Sequence, residues 1–253
     1  MSMCPQISRS EVHAGSSILD AGRCGVCGHI GEYAHWEASM REHHACRRCQ
    51  ASLRYRLQAS AIAATYGQPD STLAQLASEP SFRELAVYEP GIVGPFRAFL
   101  RDLPRYVNSY FWADVSPGQE RDGVRCEDLR DMTFADDSFD LVISSDIFEH
   151  VRGPSSAFAE IYRVLRPGGH HIFTVPLRWP LPSTTESRVD YSGAEDVFLA
   201  TPVYHGSPVD PKGSLVYTDF GMDLPEQLRE LGFETVTHHG HTYAVTFASR
   251  KPE

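Results

Sequence analysis

The stretch from Asp136 to Pro176 limits what this chain can fold into more than any other. Phe139 to Ile143 is apolar apart from Asp140, the pattern of a strand covered on both faces. Pro154 suits the first turn of a helix. Phe158, Ile161, Tyr162 and Leu165 then form a helical stripe, which Pro167-Gly168-Gly169 is expected to stop. His170 to Pro176 reads as a second buried strand. A β-α-β unit of this kind crosses over right-handed, so the loop after Ile143 lies at the carboxyl edge of a parallel sheet, where ligands bind. The polar residues Ser144, Ser145, Asp146, Glu149 and His150 all fall in that loop.

At 253 residues the chain can bury a full α/β core and still carry a small accessory module. Its net charge of −10 argues against a general affinity for nucleic acid or anionic membranes. The sequence contains no apolar run near the roughly 20 residues needed to span a bilayer. Met1 to Asp20 lacks a charged-then-apolar leader, so a cytoplasmic location is expected. In that compartment cysteines serve as metal ligands more often than as disulfides.

Four of them are suitably spaced. Cys24 and Cys27 are followed, eighteen residues on, by Cys46 and Cys49, a C-x2-C-x18-C-x2-C pattern that fits a four-thiolate zinc site better than a redox pair. Four thiolates leave no open position, so this zinc is expected to be structural. His29, His35, His43 and His44 are then left as surface or substrate-facing residues. A helix is expected from Cys49 to about Thr65, closed by Gly67-Gln68-Pro69. Arg41, Arg47, Arg48, Arg54 and Arg56 make the module locally basic. It can bind nucleic acid or pack on the following domain and shape its pocket, and the acidic whole favours packing. The expected organisation is a flexible tail over 1–22, the zinc knuckle with its helix over 23–66, and an α/β domain over 67–253. A long irregular insertion at about 177–218 is expected to cover the acceptor pocket.

The runs FDLV at 139–142, EHV at 149–151 and RVLRPGG at 163–169 resemble class I S-adenosylmethionine-dependent methyltransferases of the type 11 kind, over roughly Leu85 to Arg250. The resemblance implies a Rossmann-like, doubly wound sheet of seven strands, mostly parallel with an antiparallel last strand. It implies S-adenosylmethionine as cofactor, held at a glycine loop of which Glu89, Gly91 and Gly94 are present. Asp114, expected at the end of a strand from Val107 to Ala113, matches the carboxylate that accepts the ribose hydroxyls. Asp128 or Asp131 matches the adenine contact; spacing favours Asp131, with Met132 covering the ring. Ser145 completes the expected cofactor set. Asp146-x-x-Glu149-His150 is similar to an arrangement in ubiquinone-type O-methyltransferases, which points to a divalent ion such as magnesium on those three residues.

Methyl transfer to a hydroxyl needs alignment and a base or a metal. His150 and His205 are the candidate bases, His205 because it sits in the covering loop. The expected reaction is O-methylation of a small molecule or sugar. N- or C-methylation, a non-catalytic binding protein and a nucleic-acid methyltransferase are the rivals. Oligomeric state is not legible in the sequence.

Overall fold

The computed structural model describes residues 21–34, 40–42, 44–68, 70–178, 180–193, 195–241 and 244–253. Most of the expected tail, together with His35, His43 and Tyr243, lies outside the described residues.

Three short strands, β1 (Ala21–Arg23), β2 (Ile30–Ala34) and β3 (Ala45–Cys46), form an antiparallel sheet around the cysteine pairs. A helix, Leu53–Tyr66, leaves the second pair and ends at Gly67. Two single-turn helices follow, Leu73–Leu76 and Pro80–Arg83, the second starting on its proline as a helix N-terminus allows. The main sheet is then laid down by β4 (Val87–Pro90), β5 (Tyr106–Tyr110), β6 (Glu120–Arg121), β7 (Val124–Cys126), β8 (Phe139–Ser145) and β9 (Leu165–Thr174). Among its described residues the insertion contributes the two-residue strands β10 (Glu186–Ser187), β11 (Val189–Asp190), β12 (Val197–Phe198), β13 (Tyr204–His205), β14 (Ser214–Leu215) and β15 (Thr218–Asp219). Among the described residues they pair only with one another, as β10–β15, β11–β12 and β13–β14. Strands β16 (Glu234–His241) and β17 (Ala244–Arg250) complete the main sheet.

Its order is β16-β17-β9-β8-β4-β5-β7-β6. Strands β9, β8, β4, β5 and β7 run parallel, whereas β17 is antiparallel to both its neighbours. The sheet has eight strands rather than the expected seven, because Glu120–Arg121 folds back on β7 as a short antiparallel edge. Val87 and Tyr88, Ile143 and Val142, and Ile172 and Phe173 face opposite cores, as the two-residue period of a strand requires. One core lies under the helix Pro154–Val164 and the helix Leu224–Glu230, with Phe158, Ile161, Leu224 and Leu228 fully or nearly buried. The other lies under the helix Leu53–Tyr66 and is continuous with Cys24, Val26, Tyr33 and Cys46 of the cysteine module.

The glycine stop behaves differently from expectation. The helix ends at Val164, and Leu165 is already extended. Pro167-Gly168-Gly169 lies inside β9, where the pairing jumps from Phe139–Leu165 to Leu141–His170. The extra residues form a bulge. Gly168 takes a φ of +80°, and a Cβ at Gly169 would come within 2.9 Å of the Arg166 carbonyl.

Candidate active site

Strands β4, β5, β7 and β8 end at one edge of the sheet, and a cavity of 560 Å³ opens there. Its floor comes from Glu89 to Val93 after β4, Ser109 to Phe111 after β5, Glu127 to Arg130 after β7, and Ser145 to Ile147 after β8. Gly206 to Asp210 and Gly213 to Leu215 of the insertion also line it. Tyr55 of the helix Leu53–Tyr66 lines it too, a contribution nothing in the sequence pattern signalled.

Glu89, at the end of β4, is buried and accepts a hydrogen bond of 2.6 Å from the Tyr106 hydroxyl. Burial, opposed by that hydrogen bond, pushes its carboxyl up to about 7. Gly91, at φ +111°, turns the chain away from the strand, a conformation costly for any residue with a Cβ. Gly94 is outside the lining; its Cα faces the Tyr55 hydroxyl, which a Cβ would approach to 3.1 Å. Ser145 lines the cavity and donates to Gln58 Oε1 at 2.6 Å. Gln58 in turn donates to the carbonyls of Ser144 and Ile172, tying the helix to the ends of β8 and β9.

Three expected cofactor residues lie elsewhere. The second strand ends at Tyr110, so Asp114 falls four residues beyond its tip, exposed and paired with Arg121 at 2.7 Å, away from the cavity. Tyr110 and Phe111 stand in its place. Asp131 is exposed and Met132 is buried in the core, because the chain turns back at an Asp128–Asp131 bridge. Asp128 and Leu129 line the cavity instead, with Asp128 gripped by the Arg130 guanidinium.

Asp146, at φ +54°, follows β8. Burial alone would raise its carboxyl, but the guanidiniums of Arg54 and Arg41 and the Thr174 hydroxyl together hold it below the usual range. Arg41 comes from the cysteine module and grips both carboxylate oxygens, while Arg54 lies 3.2 Å away. Arg56 stacks on the Tyr33 ring at 3.4 Å. Arg41, Arg54 and Arg56 of the module thus face inward, whereas Arg23, Arg47 and Arg48 are exposed. With two arginines on it, Asp146 does not fit a magnesium site with Glu149 and His150.

Glu149 and His150 instead meet His205. The pairing of β13 with β14 places His205 over the Glu149–His150 turn, with the two imidazole centroids 5.0 Å apart. His150 lines the cavity; His205 does not. Burial raises the Glu149 carboxyl, and the Glu149 carboxylate beside His205 raises that imidazole.

The four cysteine sulfurs lie within 4.8 Å of one another, with Cys24–Cys49 and Cys27–Cys46 each at 3.7 Å. Tetrahedral zinc with Zn–S of about 2.3 Å requires sulfurs about 3.8 Å apart. The cluster therefore has the size of a zinc site.

Residues 97–173 match the family described as a methyltransferase domain, type 11. Among solved structures, the chain is similar to an S-adenosylmethionine-dependent methyltransferase from Mesorhizobium loti, 17% identical, over 66% of this chain and 90% of that one, at a TM-score of 0.44. It is similar to a methyltransferase from Bacillus halodurans, 14% identical, over 72% and 97%, at 0.43. The 4+2-cyclase SpnF is 16% identical over 87% of each chain, at 0.42. None of the curated proteins matches the chain. The order of the sheet and the family match agree: the chain carries a methyltransferase domain of Rossmann-like fold, preceded by a four-cysteine cluster that fits a zinc knuckle.

Proposed function

We propose that this protein transfers a methyl group from S-adenosylmethionine to a hydroxyl of a small molecule or sugar, as a cytoplasmic enzyme with a structural zinc. Among the described residues no helix is long and apolar enough to cross a membrane. The observation that carries the reading is a single cavity whose floor is the strand edge with Glu89 and Gly91, and whose far side is His150 under the insertion. The cofactor supplies an already activated methyl group, so the chain's task is mainly alignment. Glu89 is placed to meet the ammonium group, and Phe111, half exposed at the cavity, offers an apolar face to the base. On this reading His150, at the cavity wall, and His205, beside it, are the residues that activate the acceptor hydroxyl. The inward-facing arginines support packing of the module over nucleic-acid binding.

Calorimetry with S-adenosylmethionine tests this; absence of binding sinks the proposal. Glu89 sharpens the test. A cation beside it favours the ionised carboxylate, so affinity is expected to rise with pH, by up to about tenfold per pH unit below the Glu89 pKa, and to level off above it. Binding near pH 7 is then accompanied by proton release, visible as a buffer-dependent enthalpy. Glu89→Gln is expected to weaken binding and abolish that release. A pH-independent affinity in the wild type removes Glu89 from the ammonium site. Asp114→Ala, outside the cavity, is expected to leave the affinity unchanged; a loss of tenfold or more returns Asp114 to the ribose.

A further inference from the structure

Glu149 is 1% exposed, and among the described residues neither of its carboxylate oxygens has a hydrogen-bond donor. A buried carboxylate without a partner is costly and needs a compensating charge. Two nitrogens face Oε1, His150 Nε2 at 3.4 Å and His205 Nδ1 at 3.5 Å. Both separations exceed the 2.7–2.9 Å of a charge-assisted hydrogen bond. His150 Nδ1 lies 2.8 Å from the Leu215 carbonyl, which can only accept. In the neutral ring the proton is therefore on Nδ1, and Nε2 turns a lone pair toward the carboxylate. A carboxylate oxygen and the His150 lone pair thus face each other, with His205 Nδ1 beside them. The three donor atoms lie within 4.8 Å of one another, and the 3.4 and 3.5 Å from Oε1 to the two nitrogens match the spacing of ligands about 2.0–2.2 Å from one tetrahedral metal.

We infer that Glu149, His150 and His205 form a binding site for one divalent transition-metal ion, open toward the cavity that His150 lines. Two imidazoles and one carboxylate favour zinc, iron or manganese over magnesium. The Nδ1–H of His150 on a backbone carbonyl is the outer contact that metal-bound histidines generally make. The insertion builds the site: the Tyr217 amide donates to the Glu149 carbonyl at 2.7 Å, next to the hairpin that carries both His205 and Leu215. Three protein ligands leave coordination positions for a substrate oxygen, and on the methyl-transfer reading an ion there lowers the pKa of the acceptor hydroxyl. That role rests on the proposed function; the site itself does not.

The test uses the full-length protein, stripped of metal and titrated with cobalt(II), then with zinc. The thiolate-to-cobalt charge-transfer band reports the cysteine site, and total bound metal reports both. Wild type is expected to take two equivalents. His205→Ala and Glu149→Gln are expected to take one, with the thiolate band and melting temperature retained, and to bind the second ion at least tenfold more weakly. His205 is partly exposed, so its variant is the safer of the two for folding. A wild type that stops at one equivalent, or two variants that still take two, overturns the site. S-adenosylmethionine calorimetry on the same samples separates the two claims: lost cofactor binding with the second ion in place refutes only the methyltransferase reading.

Discussion

Removing the proposed structural zinc, by chelation or by Cys46→Ser, is expected to lower the melting temperature by more than 10 °C, on the order of 3 kcal/mol or more for a chain of this size, and to weaken S-adenosylmethionine binding at least tenfold. The cysteine module has little core of its own. Cys24, Val26 and Cys46 are fully buried against the same cluster as Ile62, Leu73 and Leu76, which continues to Val87, Leu141 and Ile172 of the main sheet. The amides of Leu73 and Ala74 donate to the carbonyls of Gly25 and Val26, inside the first knuckle. Without an ion on the thiolates these contacts lack an anchor, and with them go the positions of Arg41, Tyr55 and Gln58 at the cavity edge. Cys126→Ser is the control. That cysteine is buried, lies outside the cluster and contacts the Val115 carbonyl, so its variant is expected to keep the bound zinc. A zinc-free protein that melts and binds cofactor like the wild type would make the module an appendage, contrary to its shared core.

What was legible in the sequence follows from the range of the interactions involved. The β-α-β unit and the cysteine pairs rest on local periodicity and spacing, and they stand in the structure within a few residues. Position along the chain also marked Glu89, Gly91 and Ser145, which line the cavity. Asp114 was misplaced because Val107 to Ala113 is apolar and aromatic beyond Tyr110, and apolar character does not reveal where pairing stops. Asp131 and Asp128 have the same local chemistry, and only the backbone bridge between them decides which one faces the cavity. His171 lies in the stretch read as a buried strand and is fully buried, but its contact, Nε2 2.8 Å from the Ser144 hydroxyl, is not a local one. The joining of Glu149 and His150 to His205 depends on a hairpin of two-residue strands, too short to leave a period in the sequence. The contacts of Arg41 and Arg54 with Asp146 span 105 and 92 positions, beyond the reach of any local pattern.

Those arginines support the second large effect. Asp146→Ala is expected to destabilise the fold by about 3 kcal/mol, near the low end of the roughly 3–5 kcal/mol for breaking a buried ion pair. It removes the carboxylate from two guanidiniums whose side chains are only 12% and 9% exposed. Arg54 retains Glu42 at 2.7 Å, which moderates the loss, while Arg41 retains only a carbonyl contact to Val175 among its described hydrogen bonds. Asp146→Asn keeps an acceptor for the Thr174 hydroxyl and is expected to cost less, which separates the lost charge from the lost hydrogen bond. The sign of the pH dependence follows from the lowered carboxyl. Stability from Asp146 is fully present above its unfolded value of 3.8 and is lost as pH falls through the lower folded value. Wild type should therefore lose stability below pH 3.8 more steeply than Asp146→Asn in parallel urea titrations. Equal acid slopes would show that the arginines do not need this carboxylate. A combined Arg41→Met, Asp146→Asn variant is expected to recover part of the loss, because it removes a buried charge together with its partner.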